Sequence, residues 1–198
     1  MTRILFSFFF LTLSPSTMVL LVSAPAAATE IHCDGQSENL NTYLSMFDVL
    51  FQQRDGSRAG EFYAAEFISH NADAGGSETT IGRPAQLEAM FKAGKAASPD
   101  RTIVNDMIIC KDDIVSTRMT VMGTQTGVMM GNPPTGRKFK FTAMDIFRFK
   151  DGKVVERWGN SDSLIIIRQL GLDVDLSLQL LQEDALTTPP RATPGSPQ

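Results

Sequence analysis

Two hydrophobic periods divide the chain. From Ser37 to about Arg54, residues Leu40, Tyr43, Leu44, Phe47, Leu50 and Phe51 recur at helical spacing, with Ser37 placed to cap the start and Asp55-Gly56 to end it. Ser57 could cap a second short helix carrying Phe62 and Tyr63, after which the chain extends through Phe67-Ile68-Ser69-His70. Residues 71–82 are rich in Gly, Ser and Asn and read as a loop. Pro84 suits a first helical position, and a helix from there to Ala97 puts Leu87, Met90 and Phe91 on one face. After Pro99-Asp100 the period changes to two. Residues 101–111, 114–126, 137–150 and 153–158 are rich in β-branched and aromatic side chains and read as strands. Asp112-Asp113 and Asp151-Gly152 are tight-turn signals, so these strands should pair antiparallel. A last helix is expected over 163–170, stopped by Gly171, with a shorter one over 175–183.

Helices first and a meander of long strands afterwards is an α+β arrangement. Long antiparallel strands can curl under a helical lid and leave an apolar pocket. Along residues 137–150, Phe139, Phe141, Ala143, Asp145, Phe147 and Phe149 share one face, while Lys140, Thr142, Met144, Ile146 and Arg148 share the other. An acid, Asp145, therefore sits in an aromatic row.

The ends of the chain read differently. Arg3, the apolar residues 4–13 and 18–22, and Ala26-Ala27-Ala28 have the form of a secretory leader cleaved near Ala28. Ser14-Pro15-Ser16 interrupts the apolar run, which argues against a membrane span and leaves no stable anchor after cleavage. The expected organisation is a leader (1–28), a short N-terminal segment (29–36), one domain (37–172), a helical extension (173–186) and a Pro-rich disordered tail (187–198). The protein would be exported, to the periplasm or beyond. Losing Arg3 with the leader shifts the formal net charge from −4 to −5. With no basic run either, nucleic acid and anionic membrane surfaces are not expected as partners. In an oxidising compartment Cys33 and Cys110 can pair, which in the chain-entropy model stabilises by ~4 kcal/mol; alternatively Cys110 is a buried thiol in an apolar run. Two cysteines and two histidines at these spacings form no metal-site pattern.

A set of short motifs narrows the reading. Gly123-Thr124-Gln125-Thr126-Gly127 and Gly131-Asn132-Pro133-Pro134-Thr135-Gly136 come first. Asp145-Ile146-Phe147-Arg148-Phe149, Asp151-Gly152-Lys153, Glu156-Arg157-Trp158, Asp162 and Gln169-Leu170-Gly171 follow. In this order and spacing, over roughly residues 40 to 172, they resemble the SnoaL-like polyketide cyclase, or ester cyclase, family. The resemblance implies a nuclear-transport-factor-2-like cone: a strongly curved antiparallel sheet with N-terminal helices covering an apolar pocket. It also implies ring closure of a polyketide ester by an intramolecular aldol reaction, without metal or cofactor. The partner would be a small apolar carbonyl compound, and such cones often form homodimers through the sheet face.

On this reading Asp162 matches the family's acid/base aspartate, placed to take a proton alpha to a carbonyl and return it to the new alkoxide. Desolvation in an apolar cavity would suit it to that task. Asp is also a preferred helix cap, and Asp162 immediately precedes the helix at Ser163. His70 matches a family histidine and could share the proton work or bind a carbonyl oxygen; otherwise it is a partly buried, hydrogen-bonded side chain. Arg118 could bind an ester or enolate oxygen, or pair with an acid such as Asp106 or Glu156. Asp145 is expected to face the pocket, and Trp158 to pack in the core or the pocket wall. Gln125 stands where the family pattern G-T-H-x-G has histidine, so at that position this chain can bond a substrate but not titrate. The same pocket without catalysis would make a binding protein for a hydrophobic small molecule.

Overall fold

The computed structural model describes residues 28–33, 38–71 and 79–173; the expected leader, the helix over 175–183 and the tail lie outside them. Seven strands form one sheet: β1 (Glu30–Cys33), β2 (Tyr63–Asn71), β3 (Thr80–Gly82), β4 (Thr102–Lys111), β5 (Ile114–Thr124), β6 (Lys138–Lys150) and β7 (Lys153–Ser161). Their order is β1-β4-β5-β6-β7-β2-β3. The β4–β5–β6–β7 meander is antiparallel as expected, and its last hairpin turns on Asp151 and Gly152, at φ 52° and 70°. Two positive φ values in a two-residue turn match the right-handed twist of the flanking strands.

Extra residues break the register at Asp106 in β4, at Val155 in β7 and between Tyr63 and Ile68 in β2. Each bulge bends its strand, and together they curl the sheet into an open cone. Helix α1 (Glu38–Met46) continues as a π-helical turn (Phe47–Gln52) and buries Tyr43, Met46, Phe47 and Leu50 against the sheet. A 3₁₀ helix follows over Gly56–Glu61; its cap is Asp55, whose carboxylate accepts from Ser57 N, so Ser57 lies inside the turn rather than before it. Helix α2 (Pro84–Ala97) lies against this segment.

Helix α3 (Ser163–Leu170) closes one end of the sheet. Gly171 at φ 68° ends it in the left-handed conformation that glycine adopts without strain. Gln169 accepts from Lys140 N and donates to Lys140 O, filling backbone positions on β6 beyond the end of β7. That bond pair, with buried Leu170, is the physical content of the Gln-Leu-Gly motif.

Three pairings depart from the expectation. Strand β3 lies inside the stretch read as loop, β2 joins β7 in parallel, and β1 joins β4 in parallel with Cys33 opposite Cys110. The two cysteines form a disulfide with Cα atoms 4.5 Å apart, which settles the alternative of a free thiol. A four-residue edge strand has little pairing of its own, so the bridge staples it to the sheet. Cys33→Ser with Cys110→Ser should lower stability by about 2–4 kcal/mol. In urea unfolding the loss should match that produced by reductant on the native chain; equal midpoints with and without reductant would contradict it.

Candidate active site

Cross-strand register assigns every side chain to a face. On one face, paired residues run Ile108–Thr117–Asp145–Gly159, with Met119–Ala143–Ser161 on the next row and Val121–Phe141 beyond. These rows look into a cavity of about 480 Å³ between the sheet, α2 and the 125–136 loop, within the usual range for small-molecule sites. Phe51, Phe91, Met119, Met129, Met130, Phe139 and Phe141 make most of its wall apolar. Met90 and Val128 are wall residues that are also exposed, so they mark the mouth.

Asp145 is 3 % exposed and lies in that wall. Its Oδ1 accepts from Arg157 Nη2 at 2.6 Å. Arg157 belongs to the row beside Phe147, so its side chain reaches diagonally across Gly159. A methyl group at residue 159 would sit 2.5 Å from Arg157 Nη2 and 2.8 Å from Asp145 Oδ1, so the bare glycine is what admits the ion pair. Behind it, Tyr43 Oη and Thr117 Oγ1 both donate to Asn105 Oδ1 at 2.8 Å. Burial pushes the Tyr43 and Tyr63 phenols well above their ordinary range, so both stay protonated at neutral pH. A carboxylate and a guanidinium in one apolar wall can take a proton and bind an oxyanion within a single site.

The remaining predicted residues do not gather here. His70 and Trp158 lie on the outer face, in the row Ile109–Ser116–Ile146–Trp158–His70. Their rings stack with centroids 5.0 Å apart, and the Arg148 guanidinium lies 5.6 Å from the Trp158 ring centre. His70 Nε2 is 2.9 Å from Glu156 Oε1, and Arg148 Nε donates to Glu156 Oε2 at 2.9 Å. Burial pushes the Glu156 carboxyl up, but the bonds from His70 and Arg148 outweigh it and hold the group below its usual value. Trp158 is thus not in the pocket wall. The bulge at Val155 reverses the alternation, sending Glu156 and Trp158 outward and Arg157 and Gly159 inward. Arg118 also points outward and pairs with Asp106, as its structural alternative had it.

Asp162 caps α3, its Oδ1 accepting from Ile165 N at 3.1 Å; Ser161 and Ser163 on either side line the cavity, and Asp162 is not among the lining residues. Gln125 is fully buried, but its amide is turned into the following loop: Nε2 donates to Pro133 O at 3.0 Å, and Oε1 accepts from Thr135 Oγ1 at 2.8 Å. It thereby fixes the loop that carries Met129 and Met130 into the cavity. Sequence reasoning missed Arg157 as a site residue, because the bulge hides its parity, and Arg101, which lines the cavity just before β4. The glycine two positions after Arg157 was the available signal. Among the described residues no group of three or more His, Cys, Asp or Glu could hold a metal ion, and no helix is long and apolar enough to cross a membrane.

The ion pair generates a stability prediction. Arg157→Leu removes the cation beside a buried carboxylate and should cost roughly 3–5 kcal/mol. Gly159→Ala should cost roughly 1–3 kcal/mol by crowding both partners. Both are read by chemical denaturation; a neutral Gly159→Ala would mean that the pair does not cross that glycine.

The SnoaL-like polyketide cyclase family profile matches residues 41–170. Comparison with curated protein sequences finds no match. Among solved structures, the chain is similar to IdmH of Streptomyces antibioticus, a candidate polyketide cyclase, at 27 % identity and a TM-score of 0.59, covering 69 % of this chain and 100 % of that one. It is also similar to AclR of Streptomyces galilaeus, a candidate hydroxylase, at 26 % identity and TM-score 0.58, covering 68 % and 96 %. A candidate SnoaL-like polyketide cyclase from Jannaschia sp. CCS1 shares the fold at 21 % identity and TM-score 0.62, over 71 % and 99 % of the two chains. The match spans the cone and its cavity from α1 to α3, and the chain belongs to the SnoaL-like polyketide cyclase family.

Proposed function

We propose that this protein performs acid/base chemistry on a small apolar carbonyl compound held in the cone, of the aldol-cyclisation or isomerisation type. The observation that carries the reading is Asp145: among the described residues, no other wall residue is a carboxylate, histidine, lysine, cysteine or tyrosine. The Asp145 carboxylate removes a proton alpha to the carbonyl, and an Arg157 N–H binds the oxygen as it becomes an enolate. The enolate carbon then attacks a second carbonyl of the same molecule, and protonated Asp145 returns its proton to the new alkoxide. In the isomerisation case the proton returns to a different carbon. Proton transfer by a positioned side chain is worth about 10²–10⁴-fold.

One observation favours a second reading, a binding protein without turnover: the Asp145 carboxylate already accepts from Arg157. The similar structures are candidate cyclases and a candidate hydroxylase, and one fold can host several chemistries. Hydrogen–deuterium exchange at the alpha carbon of α-tetralone, followed by proton NMR, separates these readings. Wild type should accelerate exchange, Asp145→Asn should lose it by about a hundredfold or more, and Asp162→Asn should keep it. If Asp162→Asn abolishes exchange while Asp145→Asn does not, the proton-transfer role passes to Asp162. Binding of α-tetralone without exchange by wild type would favour the binding protein.

The same proposal includes export and pairing. The Cys33–Cys110 disulfide supports an oxidising compartment, and Ile109, Met144 and Ile146, exposed on the outer sheet face, support a homodimer through that face. The exported chain should begin at Thr29 by N-terminal sequencing and sediment at twice its mass, with Met144→Lys sedimenting as a monomer; a monomeric wild type would remove the dimer.

A further inference from the structure

Two arginines take no part in that chemistry. Arg101 lines the cavity, and Arg54 stands beside it. Arg101 lies next to Gly123, where an added Cβ would be 3.0 Å from the Arg101 Cα, and Gly123 pairs with Phe139. Along β6 the strand rise puts roughly 20 Å between Phe139 and Asp145. The rows of Val121–Phe141 and Met119–Ala143 lie between. The Arg101 end and the Asp145–Arg157 end are therefore opposite ends of one largely apolar cavity.

The donors at the Arg101 end are not satisfied. Arg101 Nε and Arg54 Nε and Nη2 are buried without a hydrogen-bond partner among the described residues. Arg54 Nη1 donates to Ser98 O at 2.9 Å and Pro99 O at 3.2 Å, which holds its guanidinium behind the cavity wall. Asp100 is the acid whose charge reaches Arg54, but its carboxylate accepts from Thr124 N, Thr124 Oγ1 and Ser98 Oγ. Burial first, and the Arg54 charge second, push the Arg101 guanidinium down to about 10, so it remains a cation at neutral pH. Buried donors without acceptors are costly. The fold accepts a second cost beside them. Gly94 stands inside α2, where glycine is disfavoured, and a Cβ there would lie 2.7 Å from Arg101 Nη2. The missing side chain is what lets this guanidinium lie against the helix at the cavity wall.

We propose that the Arg101 end of the cavity is a subsite for an oxyanion, so that the ligand is amphipathic, with an apolar body and a carboxylate or similar anionic group. The anion accepts from Arg101, with Arg54 adding positive potential behind it. The methionine and phenylalanine rows hold the apolar body. The inference rests on the proposed reading in one respect: it places the reacting carbonyl at Asp145 and Arg157, away from the anion.

Two fluorescent probes of nearly one shape test it, anilinonaphthalene sulfonate and its uncharged counterpart phenylnaphthylamine, titrated against the full mature chain. Only sulfonate signal that phenylnaphthylamine displaces is counted. Arg101→Met should weaken the sulfonate by about tenfold or more and the neutral probe by less than about twofold, the loss expected for one charged hydrogen bond. Arg101→Lys keeps the charge but not the fork, and should fall between wild type and Arg101→Met for the sulfonate alone. If Arg101→Met does not melt cooperatively, the lysine variant supplies the same comparison. Equal losses for the two probes, no loss for the sulfonate, or no sulfonate binding by wild type would overturn the anion subsite. Failure of wild type to bind the neutral probe would count instead against the apolar cavity, and so against the proposed function itself.

Discussion

A carboxylate inside an aromatic cone needs a cation beside it, and much of this structure follows from supplying one to Asp145. Removing an ion from water costs several kcal/mol unless a partner and hydrogen bonds offset it. The partner, Arg157, lies on a strand whose simple alternation from Val154 would point it outward. The extra residue at Val155 turns it in, and Gly159 leaves the space through which it reaches Asp145. Bulge, glycine and ion pair thus form one constraint. The same bulge sends Glu156 and Trp158 to the outer face, where they meet His70 and Arg148. The polar cluster outside the sheet is the counterpart of the ion pair within it.

Two side-chain amides hold the elements around the cavity in place. Gln169 fills the β6 positions beyond the end of β7 and so seats α3. Gln125 occupies the interior of the 125–136 loop and bonds both sides of it. An amide does this better than an imidazole can, because it offers an acceptor oxygen and two donor hydrogens at one site. At position 125 the chain therefore has a loop-fixing amide. That loop supplies Met129 and Met130, flexible side chains suited to an irregular ligand surface.

The long elements were legible because their signals are local. The alternation through Phe139 and Phe149 gave the inner face of β6, including Asp145, and Gly171 gave the end of α3. The short strands were not legible. Three or four residues carry no period, and β1 depends on a disulfide to a cysteine far along the chain. His70 and Trp158 could not be placed from sequence either, since their stacking comes from the parallel β2–β7 pairing between distant segments. Motif matching gathered His70, Trp158, Arg118 and Asp145 into one picture, and the pleat distributes them over two faces. Arg101 was hidden for a related reason: it reads as an ordinary charged residue opening a strand, and its burial arises only when α2 brings Gly94 against it.

The charge balance of the cavity opposes that of the chain. The sequence is acidic overall, with a formal net charge of −4, yet the wall presents two guanidinium groups against one carboxylate, with Arg54 close behind. Surface charge therefore disfavours approach of an anion, while the interior favours its retention. Low-dielectric walls concentrate such an interior field because little water is present to screen it. A ligand with one charged end would then be oriented as well as held. Its anionic group is drawn toward Arg101, where no carboxylate stands in the wall among the described residues, and is repelled from Asp145. That orientation leaves the Asp145–Arg157 pair facing the uncharged end of the molecule, where an enolisable carbonyl would have to lie for proton transfer to occur.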